Sequence, residues 1–172
     1  MTSPPKDLDD LLALLPGMRK QRFLNAGTLR MLLNRPRRHC TWCGKAVPKG
    51  RQTWCSQSCV DAFNLRCSPP HQKAFVEKRD EGICQLCGRN TVASRQFARR
   101  ALRALPSLNG SSVKIRDRIR RRFGYGGGSF SQVDHIVPVC RGGGLCSVEN
   151  LRLLCGSCHL KVTAEMRRNG VE

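Results

Sequence analysis

Four close pairs of cysteines constrain this chain more than any other feature: Cys40 with Cys43, Cys55 with Cys59, Cys84 with Cys87, and Cys155 with Cys158. They account for eight of the eleven cysteines. Two or three residues between thiols suit chelation of one ion better than covalent pairing to a distant partner, and four soft donors make zinc the expected ion. A chain of 172 residues has room for one domain or two small ones, where a metal staple reinforces a modest core. Two structural zinc ions are therefore expected.

The first tetrad has the pattern C-x2-C-x11-C-x3-C. It predicts a knuckle at Cys40 and Cys43, a turn at Pro48-Lys49-Gly50, and a helix starting near Cys55 and Cys59 with Ser56 as its cap. His39 can stand in for one thiolate, and the bland alternative is two unrelated pairs of buried thiols. Ser68-Pro69-Pro70 then marks a boundary, because the prolines cannot continue a helix. In the second tetrad the knuckle at Cys84 and Cys87 finds its partners far downstream, at Cys155 and Cys158. The expected organisation is a helical basic segment over 1–39, a four-cysteine treble-clef-like finger over 40–68, and a domain over 69–172 with a basic helical insert at 89–131.

Charge narrows the choice of partner. Thirty-one Lys and Arg against twelve Asp and Glu give a formal net charge of +19, which favours a polyanion, and DNA is the expected one. From Gly88 to Val133 there are eleven basic residues and one acid, Asp117. Two runs that read as helices, ARRALRAL and VKIRDRIRRRF, are separated by PSLNGSS, and GYGGGS after them reads as a flexible return. Arg99, Arg100, Arg103, Lys114, Arg116, Arg118, Arg120, Arg121 and Arg122 are expected to contact phosphates without reading bases. Residues 18–39 carry seven basic residues and no acid; a solvated helix face and an extra DNA contact both fit them.

Other classes fare worse. Nothing suggests a small-molecule substrate, and no apolar run is long enough to span a bilayer. The N-terminus MTSPPKDLDD lacks the order of a secretory signal. An intracellular protein is expected, in cytoplasm or nucleoid for a prokaryote or phage and in the nucleus for a eukaryote. A reducing compartment also keeps the thiols free for metal. Aromatics are only 5% of residues, which disfavours an RNA-stacking platform.

The C-terminal stretch carries the chemistry. Val133–Val139 reads as a strand, the glycines 142–144 as a turn, Leu151–Leu154 as a second strand, and Gly156–Arg168 as a helix. In this ββα order His159 follows Cys158, so its side chain is rotated about 100° from that ligand and is available to another site. A strand lying against the helix would bring Asp134 and His135 towards it, beside Asn150. One carboxylate with imidazoles suits a divalent ion that keeps positions open for water and phosphate.

Asp134-His135-Ile136-x-Pro138, the glycine triplet, Asn150-Leu151-x-x-Leu154-Cys155-x-x-Cys158-His159 and the upstream Cys84-x-x-Cys87 together resemble the HNH, or ββα-metal, endonucleases, most of all their zinc-stapled members. The resemblance covers about residues 71–168, interrupted by the basic insert. It implies a small α+β fold and hydrolysis of DNA phosphodiesters, leaving a 5′-phosphate and a 3′-hydroxyl. It further implies that Asp134 and His159 bind a catalytic divalent ion, Mg²⁺ or Mn²⁺, and that His135 is the general base. Asn150 holds the family's middle position, where it either helps hold the ion or orients the base through a backbone contact. The competing class is a noncatalytic zinc-dependent DNA-binding or adaptor protein. Oligomeric state is not legible from the sequence.

Overall fold

The computed structural model describes residues 7–104 and 112–170. Most of the expected PSLNGSS linker lies outside the described residues. The rest forms a small α+β protein, with seven α-helices and one two-stranded sheet among the described residues. Two compact units divide it: Met1–Gln72 with His135–Asn150, and Lys73–Asp134 with Leu151–Glu172.

The first unit begins with helix α1 (Leu8–Leu14), whose N-cap Asp7 accepts from the Asp9 and Asp10 amides. Leu8, Leu11 and Leu12 fall on one face at helical spacing and are buried. A 3₁₀ turn (Pro16–Lys20) leads to α2 (Ala26–Leu32), capped by Asn25. Leu24, Leu29 and Leu33 join the α1 leucines, Leu145, and Phe63 and Cys67 of α3 (Gln57–Cys67) in one core. Within the 18–39 segment Leu24, Leu29 and Leu33 are core and Leu32 packs against it. Cys67 sits inside this core, where burial pushes its thiol up to about 12.

Two cysteine knuckles repeat one local design, one in each unit. In the first unit the Cys40 amide donates to Lys45 O, the Gly44 amide to Cys40 O, and His39 bridges to Ala46. In the second the Cys84 amide donates to Arg89 O, the Gly88 amide to Cys84 O, and Ile83 bridges to Asn90. Ser56 caps α3 by accepting from the Cys59 amide, as its type predicts.

At the Ser68-Pro69-Pro70 boundary α4 (Pro69–Arg79) begins on the prolines themselves, because proline is tolerated in a helix's first turn, where its missing N–H has no role. Exposed His71 lies at that start, against Ser68 Oγ at 2.9 Å. The second unit continues with α5 (Thr91–Arg103), capped by Asn90, and α6 (Ser112–Arg122). Phe97 and Phe123 stack with centroids 6.4 Å apart and pin the two basic helices together.

Strand β1 spans Ser131–His135 rather than 133–139, because Ile136 and Val137 are exposed and Pro138 opens a 3₁₀ turn. Strand β2 (Leu151–Cys155) buries all but Arg152, and α7 (Gly156–Arg168) follows without a break. GYGGGS is tied by backbone bonds: Gly126 and Ser129 bond each other reciprocally at 3.0 Å, and the Gly156 and Ser157 amides bond Phe130 O and Gly124 O.

Candidate active site

Both cysteine tetrads meet the geometry of a metal cage. In each, all four Sγ atoms lie within 4.8 Å of one another. Zinc–sulfur bonds of about 2.3 Å in a tetrahedron place sulfurs about 3.8 Å apart. The observed separations are 3.4 Å for Cys43 and Cys55, 3.6 Å for Cys55 and Cys59, and 3.8 Å for Cys87 and Cys155. These are far beyond a disulfide, and all eleven cysteines are free thiols. Burial pushes the tetrad thiols up and keeps Cys43, Cys59, Cys155 and Cys158 raised, whereas at Cys40 and Cys84 the amides aimed at the sulfurs win and bring the thiols down to about 6 and about 7. On the spacing of their sulfurs the tetrads can hold zinc. His39 is not part of either group; its Nδ1 lies 3.1 Å from Arg37 O.

The second unit places Asp134 at the end of its share of β1, opposite Arg152 of β2. Arg152 donates from Nε at 2.9 Å and from a terminal nitrogen at 2.8 Å, both to Oδ2, so Oδ1 carries neither bond. Sequence reasoning missed Arg152. The available signal was a lone cation inside the apolar strand LRLLC. His159 belongs to the same unit, on the first turns of α7 just past Cys155 and Cys158. Its Nδ1 is buried and has no hydrogen-bond partner among the described residues. A buried ring nitrogen left unpaired costs free energy unless something else binds it. Among the described residues no third group of three ligand atoms matches the tetrads in tightness.

The first unit holds His135 and Asn150. Asn150 closes the intervening loop: Oδ1 accepts the Val137 amide at 2.7 Å, and Nδ2 donates to Val137 O at 3.1 Å and Gly143 O at 3.0 Å. The Ile136 amide donates to Asn150 O at 2.8 Å, next to His135. The glycines are needed for the tight loop, since a Cβ on Gly143 would collide with Val137 O and one on Gly144 with Gln21 O. Cys146 is buried beside this loop, which pushes its thiol up.

On the basic helices Arg99, Arg100, Arg103, Lys114, Arg118, Arg121 and Arg122 are exposed. Arg116 is half-buried. Arg120 is engaged, 3.6 Å from Asp117 and over the Tyr125 ring at 5.7 Å.

Residues 120–165 match the HNH endonuclease family. This chain belongs to the HNH family. The matched region holds β1, β2 and most of α7, and with them Asp134, His135, Asn150, His159, Cys155 and Cys158. DNA annealing helicase and endonuclease ZRANB3 from Bos taurus and from Homo sapiens are each 35% identical to it over 127 residues. That alignment takes in 67% of this HNH protein and 11% of each relative, so the chain spans a small part of their length. The crystal structure of the human ZRANB3 HNH domain is 35% identical, covering 55% of this chain and 86% of that one, with a TM-score of 0.35.

Proposed function

We propose that this chain is a metal-dependent HNH endonuclease that hydrolyses DNA phosphodiester bonds. The observation that carries the reading is the unpartnered, buried Nδ1 of His159, in the same HNH unit as an Asp134 carboxylate with one oxygen outside the Arg152 bonds. An oxygen and a ring nitrogen form a donor set for a divalent ion such as Mg²⁺ or Mn²⁺. When bound, such an ion supplies Lewis-acid stabilisation of charge developing on phosphate and leaving oxygens. Arg152 holds the Asp134 carboxylate in one orientation. His135, as a neutral imidazole, takes a proton from the attacking water.

Asn150 acts as a positioning residue. Its three bonds to the loop, together with the Ile136 amide on its own carbonyl, hold the backbone that follows His135. Of the two roles open to it from sequence, orienting the base is the one its hydrogen bonds favour, because both ends of its amide are already taken. The four-cysteine cages serve as structural zinc sites, and the setting we propose is intracellular. DNA is held through the exposed arginines of α5 and α6, which would contact the backbone rather than the bases.

Incubation of the zinc-loaded chain with supercoiled plasmid in Mg²⁺ or Mn²⁺, beside His135→Ala, tests the reading. Nicking by the parent should fall by about a hundredfold or more in the variant. Tight binding with no metal-dependent nicking by the parent would favour the competing adaptor role.

A further inference from the structure

We infer that the zinc finger of the first unit carries its own binding groove for the backbone of duplex DNA, formed by Arg37 and Arg38 on one side and Lys49 and Arg51 on the other. The four line a cavity of about 530 Å³, with Arg30 among the other lining residues. No acid and no aromatic ring lines it. From Leu11 to Val60 the sequence contains ten Lys or Arg and no Asp or Glu, as strong a local excess as that of the α5–α6 insert. Among the described residues none of the four forms an ion pair. Cations gathered without a counter-charge repel one another until an anion joins them.

The finger fixes both sides before any ligand arrives. Arg30 donates at 2.9 Å to Pro36 O and to His39 O, spanning the segment that bears Arg37 and Arg38. Arg38 sits in the left-handed region at φ 61°, and the Val47 amide holds its carbonyl at 2.7 Å. On the other side the Arg51 amide donates to Pro48 O at 3.1 Å, which closes the turn carrying Lys49. Backbones held this way spare a ligand much of the cost of ordering the groove.

The lining chemistry selects the partner. Single strands are held by bases stacked on aromatic rings, and this groove offers none. Firm seating on a membrane surface calls for large apolar side chains or a lipid anchor beside the cations, and here the apolar residues are Val47 and Pro48 alone. A regularly charged duplex backbone asks only for cations and a concave surface. The inference rests on the reading of this chain as DNA-directed, and the test separates the two.

Binding of a short duplex oligonucleotide to the zinc-loaded full chain is measured across a salt series without added Mg²⁺ or Mn²⁺. The quadruple variant Arg37→Gln, Arg38→Gln, Lys49→Gln, Arg51→Gln is compared with its parent. Affinity at moderate salt should drop about tenfold or more, and the salt slope should shrink by roughly 0.9 for each phosphate that is no longer neutralised. Zinc content and thermal midpoint identify any variant that fails to fold, and the pair Lys49→Gln with Arg51→Gln on the exposed turn then serves instead, with about half the slope change. Unchanged affinity and slope would overturn the groove, and a loss confined to single-stranded RNA or to anionic vesicles would overturn its assignment to duplex DNA. A parent that never nicks plasmid while the variant loses duplex binding keeps the groove and discards the nuclease; nicking with unaltered duplex binding does the reverse.

Discussion

Arg152 donates two hydrogen bonds to a single oxygen of Asp134, at 2.9 and 2.8 Å, and both side chains are largely shielded from solvent. A charge-assisted pair of this kind fixes the carboxylate's orientation while leaving its second oxygen outside the arrangement. Arg152→Ala should therefore weaken Mn²⁺ binding by the zinc-loaded protein by about tenfold to a hundredfold, the range typical of groups that orient metal ligands. Calorimetric titration checks this. Tighter Mn²⁺ binding in the variant would show that Arg152 competes with the ion instead of preparing its ligand.

Asn150 uses both ends of its amide on the loop that follows His135. Asn150→Ala leaves the Val137 amide and two carbonyls without that partner and should cost about 1–3 kcal/mol of stability, read from thermal unfolding. Asn150→Asp keeps an acceptor for the Val137 amide but sets a carboxylate against the carbonyls of Val137 and Gly143, so it should not restore the parental midpoint. A fully stable Asn150→Asp would contradict the bonding scheme.

Asp80 joins the knuckle side of the second unit to β2. Burial pushes its carboxyl up, yet the Arg79 guanidinium and the Leu153 amide, at 2.8 and 2.9 Å, outweigh burial and hold it below the ordinary carboxylate range. Its contribution to stability is present at neutral pH, and it is lost as pH falls below about 4 and through the lowered folded value. Asp80→Asn should flatten the acid limb of a stability-against-pH curve and lower stability at pH 7. An acid limb identical in parent and variant would remove Asp80 from this role.

Gly156 starts α7 between Cys155 and Cys158 of the second tetrad, and its backbone packs against the GYGGGS turn. A Cβ there would collide with the backbone of Gly126 and with Ser129 O, none of which can yield as a flexible side chain would. Gly156→Ala should cost about 1–3 kcal/mol or more, and zinc content should fall from two ions per chain towards one. Two tightly held zinc ions at the parental midpoint would contradict this packing.

How much of this could be read from the sequence depended on the physical signal at each place. Cysteine spacing announced both tetrads, because chelation demands proximity and the pairs supply it. Helix α7 was legible to its ends, since Gly156 and the apolar spacing after Cys155 leave little choice. Strand β1 was misplaced because Ile136 and Val137 have strand-forming side chains but are solvent-exposed. In residues 18–39 the charge was legible but the packing was not: Leu24, Leu29 and Leu33 bury themselves with Phe63, which is far away in sequence. The packing of GYGGGS was hidden for the opposite reason, since one of its glycines, Gly126, marks a close backbone approach to Gly156. Arg152 stood out in sequence only as a lone cation in LRLLC; its pairing was not legible, because its partner Asp134 lies across the sheet.

The proposed chemistry stands or falls on the pairing of Asp134 and His159 as ligands of a cutting metal. Its most direct test is the rate of plasmid nicking by the two-zinc protein as Mg²⁺ is titrated, compared with His159→Ala. Saturable Mg²⁺ dependence in the parent is predicted, with a loss on the order of a hundredfold in the variant while both zinc ions are retained. Nicking by His159→Ala at the parental rate and with the parental Mg²⁺ dependence would contradict it.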